Sequence, residues 1–262
     1  MSISSETLRL PMDDNAASTT VAAEAGSDGT LIGGDNTEDL FATESPALLD
    51  GSLHLDGSTD YIDCGAPAEI LDDTQGSVVV WLKMDALLSE DDVAVVLAAC
   101  ETGTDDFMWF NVRRRDAMFS GETHLEVWSR ISGNNNWLVA DGALDTNWHC
   151  AALTSNGSTW KTFLDGIEKS LTPVPTGDYT NTGDWFGDRT FDAGVGLYVG
   201  ARDFSGMNKF FDGYLADVRI YSVALTPGQI KQIYNEGLGT QDSLADLYAE
   251  NNGILRPVLQ LT

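Results

Sequence analysis

The chain has 262 residues, 42% of them hydrophobic, with 41 acidic side chains against 14 basic ones and a formal net charge of -27. That is apolar enough to fold around a core, so a disordered tail is excluded, and the length suits one large β-sandwich with extensions or two small domains. A surface this negative repels phosphate backbones and disfavours nucleic acid as a partner, and no apolar run reaches the ~20 residues of a membrane span.

The run Arg113-Arg114-Arg115 is the one local exception to the acidity, and it is flanked by Asp116 and by Asp105-Asp106. The acidity itself has three readings: solubility by self-repulsion, capture of divalent cations, or life in high salt, where screening makes repulsion tolerable. Met1 to Arg9 shows no basic region followed by an apolar stretch, so no secretory leader is read there. Cys64, Cys100 and Cys150 have neither pairing nor metal-type spacing and sit in or beside apolar segments, which predicts buried free thiols rather than a disulfide framework.

In chain order, "TLRLPM" is a strand-like piece, followed by an Ala/Thr/Asp/Gly stretch and a turn at "GTLIGG". From Leu53 onward, apolar runs alternate with Gly/Asp/Asn turns at short intervals, which predicts an all-β sandwich. "SLHLDG" places Leu53 and Leu55 on one face. "GSVVVWLKM" is apolar on both faces and reads as a central strand. "VAVVLAAC", "FMWFNVRR", "HLEVWSRI" and "NWLVADG" follow as strands. "NWHCAALTSNG" and "STWKTFLDG" pair around Asn156-Gly157, and Asp165-Gly166 turns the chain into "IEKSLTPV". After a long loop come "GLYVGA" and "FFDGYLADVRIYSVAL".

One segment has helical spacing. In "TPGQIKQIYNEG", Thr226 is the N-cap, Pro227 the first helical residue and Gln229 the capping-box partner. Ile230, Ile233 and Tyr234 form an apolar stripe, and Gly237 is the stop. The predicted organisation is a first strand near 7–12, a sandwich core over 53–225 and a helix over 227–236, all within a unit of residues 1–237. Residues 238–262 form an extension whose Leu255, Val258, Leu259 and Leu261 want a partner surface, either an edge of the sandwich or another subunit of a homo-oligomer.

The order of these pieces resembles the laminin G-like, concanavalin A-like family. "LPMDDN…DGTLIGG" is similar to its opening strand and loop, and "LDGSTDYIDCG" to its strand-turn-strand. "SVVVWLKM", "NWHCAALTSNG", "TFLDGIEKS" and "LYVGA" match later strands. "FDGYLADVRIYSVALTPGQIKQIYNEG" is similar to the terminal strand and helix. The resemblance covers roughly residues 8–237 with gaps in the loops, and Cys150 stands where the family often has a second His. It implies a concanavalin A-like jelly roll, and a binding module for glycans or proteins, often with calcium, on surface proteins or in virus particles.

An enzyme needs more than this chain offers in sequence. Retaining glycoside hydrolysis takes two carboxyls about 5 Å apart, yet Glu122 and Glu126 have no acid between them. The three histidines are scattered, no G-x-S-x-G elbow occurs, and His149 reads as packing inside a strand. For calcium, the family's first and last strands are neighbours, which brings forward Asp13 and Asp14, Asp56 and Asp60, and Asp212 and Asp217. Asp13 and Asp217 are the candidate ligands, although Asp56-Gly57 and Asp212-Gly213 also read as plain turns. For ligand contact, loops at one rim offer Trp137, then Tyr179, Trp185, Phe186 and Arg189, then Arg202, Phe204 and Lys209. Trp185 and Phe186 read equally as a satellite core under their loop.

The expected function is therefore non-catalytic: a decoration or accessory protein of a tailed-phage particle that contacts virion proteins, surface proteins or glycan. The alternative is a calcium-dependent carbohydrate-binding lectin module of a cell-surface protein, with a glycoside hydrolase relative a distant third. The expected place is a virion surface or the extracellular space.

Overall fold

The computed structural model describes residues 5–238 apart from 15–17, 34–40, 43–44, 47–48, 102–105, 116–117, 119–120, 132 and 189–194. Two antiparallel sheets carry nearly all the strands. The first runs, neighbour to neighbour, through Ile167–Lys169, Trp160–Leu164, His149–Ser155, Gly76–Met84, Asp212–Tyr221, Ser52–Asp56 and Phe41–Ala42, and Glu6–Leu10 also pairs with Asp212–Tyr221. The second runs through Leu171–Pro173, Asn134–Ala140, Thr123–Ile131, Phe107–Arg114, Val93–Glu101, Val195–Val199, Tyr61–Asp63, Gly29–Ile32 and Thr20–Val21. The order follows from period-two patterning. Val78, Val80, Leu82, Leu215 and Ile220 of the first sheet meet Phe110, Val112, Leu125, Val127 and Leu197 of the second in one buried cluster. Each such side chain taken fully from water contributes roughly 1.5–3 kcal/mol.

The segment "IEKSLTPV" serves both sheets. Ile167–Lys169 pairs with Trp160–Leu164 in the first, and Leu171–Pro173 pairs with Asn134–Ala140 in the second. The change happens at Ser170, whose N–H donates to Asp141 Oδ1 at 2.8 Å. The expected first strand is Glu6–Leu10, with Leu8 and Leu10 in the core, so the N-terminal segment belongs to the sandwich.

Gly76–Met84 is central, as its two apolar faces predict. Its outward residues Val79 and Trp81 belong to a second buried cluster with Ile230 and Ile233, so the helix Pro227–Leu238 covers the outer face of the first sheet. The capping box is closed in both directions. Thr226 N–H donates to Gln229 Oε1 at 2.9 Å, and Gln229 N–H donates to Thr226 Oγ1 at 3.3 Å. Thr226→Ala is expected to cost about 1 kcal/mol in chemical denaturation; an unchanged midpoint would show that the cap contributes nothing. Gly237 does not stop the helix but lies inside it, because a Cβ there would stand 2.5 Å from Trp81, which also stacks on Tyr234 at 5.6 Å. Glycine here serves close packing.

A second helix, Ala68–Leu71, buries Ile70 and Leu71 and was not expected. Its single turn is too short to show helical periodicity in sequence. Cys64, Cys100 and Cys150 are buried free thiols, and burial pushes Cys64 up to about 12. No helix among the described residues is long and apolar enough to cross a membrane.

His149 has a structural part. Its Nδ1 lies 2.9 Å from Asp165 and its Nε2 3.1 Å from Asp145. Burial pulls its pKa down, but the hydrogen bond and charge of Asp165, then those of Asp145, outweigh burial and leave it raised above 6.5. The stabilisation is whole below the unfolded value and fades as pH rises through the higher folded value. His149→Gln should therefore lose more stability at about pH 6 than at about pH 9 in urea titrations. An equal loss at both would show that the imidazolium does not matter.

Candidate functional site: the aromatic face of the second sheet

An antiparallel sheet with one face on the core normally turns polar residues outward. The second sheet departs from this. In Phe107–Arg114, Met108, Phe110 and Val112 point to the core, so Phe107, Trp109, Asn111 and Arg113 share the outward face. In Thr123–Ile131, Leu125 and Val127 point inward, leaving Glu126 and Trp128 outward. The register then aligns the strands: Trp128 pairs with Trp109 on one side and with Trp137 on the other. Three indoles thus form one cross-strand row.

Their geometry is tight. Trp128 and Trp137 stack with ring centres 4.2 Å apart and planes 9° from parallel, while Trp128 meets Trp109 edge-on at 5.0 Å. Trp109 stacks on Phe107 at 3.5 Å. The Trp128 indole N–H donates to Asn135 Oδ1 at 3.3 Å. Aromatic pairs of this kind contribute about 0.5–1.5 kcal/mol each beyond the area they bury.

Guanidinium groups lie on the row at both ends. Arg115 Cζ is 4.1 Å and Arg113 Cζ 5.1 Å from the Trp137 ring centre, and Arg202 Cζ is 3.8 Å from that of Trp109. Such contacts gain strength as the cation leaves water. Arg202 is placed by a hairpin, Arg202–Asp203 paired with Met207–Asn208, whose Asn208 Oδ1 accepts from Arg202 Nε at 2.9 Å. The Asp203 N–H donates to Cys100 Sγ at 3.3 Å and so ties the hairpin to the sheet. Burial lowers the Arg202 pKa to about 10, which keeps it charged at neutral pH. Arg115 is lowered by burial and then by the like charge of Arg113.

Glu126 sits beneath these groups, wholly buried. Its Oε1 accepts from Asn111 Nδ2 at 3.2 Å, and its Oε2 lies 3.7 Å from Nε of both Arg113 and Arg115. Burial pushes its carboxyl up against the pull of Arg113, Trp137, Arg115 and Asn111, and burial wins. The buried carboxylates among the described residues are Asp60, Glu126 and Asp217. Glu126 faces an amide and two guanidiniums, so the carboxyl pair that glycoside hydrolysis needs is not assembled around it among the described residues.

Of the rim residues expected from sequence, Trp137, Arg202, Phe204 and Tyr179 come to this face, Tyr179 with its ring centre 6.0 Å from that of Trp137 and Phe204 edge-on to Trp109 at 5.8 Å. Trp185 does not. It is fully buried in the main core beside Phe186, at 4.8 Å, under a loop fastened by Asp184 and Asn181. Ser129 Oγ and Asn136 Nδ2 donate to Asp184 at 2.6 and 3.0 Å, and Trp160 N–H donates to Asn181 at 2.6 Å. With no face open to solvent, Trp185 cannot stack on a ligand. Arg189 lies outside the described residues. The rim beside this loop holds an open cavity of about 580 Å³ lined by Asn134, Asn136, Thr182, Asp184 and Asp188. Its two carboxylates are already engaged, Asp184 as above and Asp188 by the Trp185 N–H at 2.8 Å.

The candidate calcium ligands Asp13 and Asp217 differ in their surroundings. Asp217 is buried, and its Oδ1 accepts from Arg9 Nε at 2.9 Å while Oδ2 accepts from Arg219 Nε at 2.8 Å. Two guanidiniums neutralise the charge a cation would need, and Asp13 is exposed. Asp56 closes a turn: its Oδ1 accepts from the N–H of Ser58, Thr59 and Asp60 at 2.8, 2.8 and 3.1 Å. Burial works against its ionisation, but the Ser58 hydroxyl, which donates to Oδ2, and then these backbone bonds prevail and hold the carboxyl well below the usual range. Among the described residues no group of three or more His, Cys, Asp or Glu side chains could hold a metal ion.

Sequence reasoning missed Trp109, Trp128, Asn111, Arg113, Arg115 and Glu126 as one constellation. The signal was there in alternation: "FMWFNVRR" puts its aromatic and polar residues on one face and its aliphatic ones mostly on the other.

Known proteins share this fold. A family model described as the concanavalin A-like lectin/glucanases superfamily matches residues 56–231. Domain 4 of AbnA, a GH43 extracellular arabinanase from Geobacillus stearothermophilus solved with arabinotriose, is 19% identical, with 88% of this chain and 99% of that chain covered and a TM-score of 0.57. The Ruminococcus gnavus IT-sialidase CBM40 bound to α2,3 sialyllactose is 15% identical, with coverages of 70% and 96% and a TM-score of 0.54. The receptor-binding domain of a botulinum neurotoxin C/D mosaic serotype is 15% identical over 88% of this chain and 51% of that one, with a TM-score of 0.58. No curated protein matches the sequence. With the family model spanning the strands that build both sheets, the chain belongs to the concanavalin A-like lectin/glucanase superfamily.

Proposed function

We propose that this chain is a non-catalytic binding module that works outside a cell and holds a glycan on the face where Trp128 and Trp137 reach the surface beside the buried Trp109. The observation that carries the reading is the register, which sets the half-buried Trp128 and Trp137 side by side on the outward side of the second sheet, backed by the buried Trp109. Trp109 is buried in a small cluster with Phe107, Val95, Ala98 and Cys100, while Trp128 and Trp137 stay half-buried beside it, and a saccharide is recognised by aromatic surface ringed with a few fixed polar groups. Similar folds seen with arabinotriose and with sialyllactose support the ligand class. The finer setting, decoration of a tailed-phage particle, rests on the apolar residues of the 238–262 extension, of which 239–262 lie outside the described residues; co-sedimentation of the full chain with purified particles tests it.

A glycan array probed with the wild-type chain and with Trp128→Ala tests the binding face. At least one saccharide class should be retained by the wild type and lost by the variant. Retention that ignores the substitution, or no retention at all, would overturn the assignment.

A further inference from the structure

We propose that residues 254–261 of the C-terminal extension dock back, within the same chain, on a strip that crosses the outer face of the first sheet. Register sets the strip. Tyr214 pairs with His54 on one side and with Lys83 on the other, and Trp148 stands one residue before His149, the partner of Leu82. The ring centres of His54 and Trp148 lie 4.4 and 6.1 Å from that of Tyr214, and Lys83 Nζ is 5.3 Å from it. All four side chains are half-buried. Their chain neighbours Leu53, Leu82 and Leu215 point into the core, so His54, Lys83 and Tyr214 turn outward, to the side the helix Pro227–Leu238 occupies.

The course of the helix carries the proposal. Just before it, the Leu225 N–H donates to Ser77 Oγ at 2.8 Å, and at its far end Gly237 lies against Trp81. The helix therefore runs along Gly76–Met84 in the strand's own direction and stops one outward residue short of Lys83 and the strip. Leu238 and Trp148 both pack against the buried cluster under the helix, so the chain leaves the helix at the strip. Residues 239–262 lie outside the described residues; their sequence is mostly polar as far as Gly253 and then gathers Ile254, Leu255, Val258, Leu259 and Leu261. The tether 239–253 spans roughly 20 Å as a flexible coil, and the strip, three strand spacings wide, spans about 15 Å. A tether matched to its span raises the local concentration of the docking segment to the millimolar order.

Charge favours the same chain over a second copy, because two copies that each carry -27 repel one another. Arg256, the only basic residue in 239–262, is matched by the exposed Asp85 and Asp212 at the strip. Asp85 Oδ2 lies 2.8 Å from His54 Nε2, and burial, then the charge of Asp85, pushes the Asp212 carboxyl up. Exposed ion pairs add little, so the leucines against the Trp148, Tyr214 and His54 rings supply most of the attachment. A particle that engages the extension would have to displace it from this strip.

Nuclear Overhauser spectra of the full chain test the docking. Contacts are expected between the rings of Trp148 and Tyr214 and the methyl groups of Leu255 and Leu259. In a mixture of isotope-labelled and unlabelled chains, they should appear within one chain and not between two. The double variant Leu255→Asp/Leu259→Asp, made in the full chain, should abolish them and move the Trp148 indole signal while leaving those of Trp128 and Trp137 in place. Contacts found only between chains would give the strip to a second copy and overturn docking in cis. The absence of any contact from Trp148 or Tyr214 to either leucine overturns it as well, as does a Trp148 signal indifferent to the double variant. The glycan array stands apart from these results, because Trp128 and Trp137 lie on the second sheet.

Discussion

Asp217→Ala is expected to lower the unfolding free energy by about 3–5 kcal/mol, the range for removing one partner of a buried ion pair. Asp217 is 1% exposed and lies between two arginines. Arg219 is itself largely buried, with its Nη2 2.5 Å from Oδ2 and its nearest other carboxylate, Glu236, at 3.8 Å. Arg9 is half open to solvent and keeps Glu24 as a second partner, so its loss is smaller. The stranded Arg219 carries most of the cost, because its guanidinium is largely buried. The backbone adds to this: Asp217 sits at φ 47° in an irregularity of the pairing between Asp212–Tyr221 and Gly76–Met84, a region where Asp and Asn are tolerated and Ala is strained. Asp217→Asn keeps the backbone preference and an acceptor, so it should retain more stability than the Ala variant. Urea denaturation measures both. A loss below about 1 kcal/mol for Asp217→Ala would mean the network is surface-like and screened.

Trp128→Ala is expected to weaken glycan binding by at least about 30-fold, roughly 2 kcal/mol, as for a central tryptophan of a binding surface. Trp128 is the middle ring of the row, stacked on Trp137 and edge-on to both Trp109 and Phe107. Removing it takes away contact area and also frees Trp137, and with it the guanidinium of Arg115, to turn. The two variants Trp128→Ala and Trp137→Ala should therefore be less than additive in a double-mutant cycle. Calorimetry with the array's best ligand reads the effect. Unchanged affinity in Trp128→Ala would place the ligand elsewhere, with the rim cavity by Asp184 the next surface to examine.

Most of the sandwich could be read from local pattern. The two-faced apolar run of "GSVVVWLKM", the Asp165-Gly166 turn and the Thr226 cap each encode their structure within a few residues, so the strands and the helix were placed. Three features depend on partners far along the chain and could not be read this way. Gly237 carries a stop signal in sequence, yet its neighbour is Trp81 on another element. Asp217 looked like a spare acid, because nothing local announces that Arg9 and Arg219 take its two oxygens. Trp185 in an aromatic loop fits a ligand platform and a core plug equally well, and only the folded loop decides for the plug.

The binding face was half legible. Period-two spacing puts Arg113 and Arg115 on one side and Arg114 on the other, where its Nη1 donates to the Leu88 carbonyl at 3.2 Å. The pairing of Trp109 with Trp128 and Trp137, in contrast, is a matter of register between strands, which no single strand contains.

The chain's 7 tryptophans allow a direct test of the binding face, since each indole N–H gives its own signal in a heteronuclear spectrum. On titration with the bound saccharide, the signals of the half-buried Trp128 and Trp137 should shift, while those of Trp81, Trp160 and Trp185, sealed in the core, stay in place. Shifts confined to the core group or to Trp148, with the row unmoved, would contradict a binding face built on the second sheet.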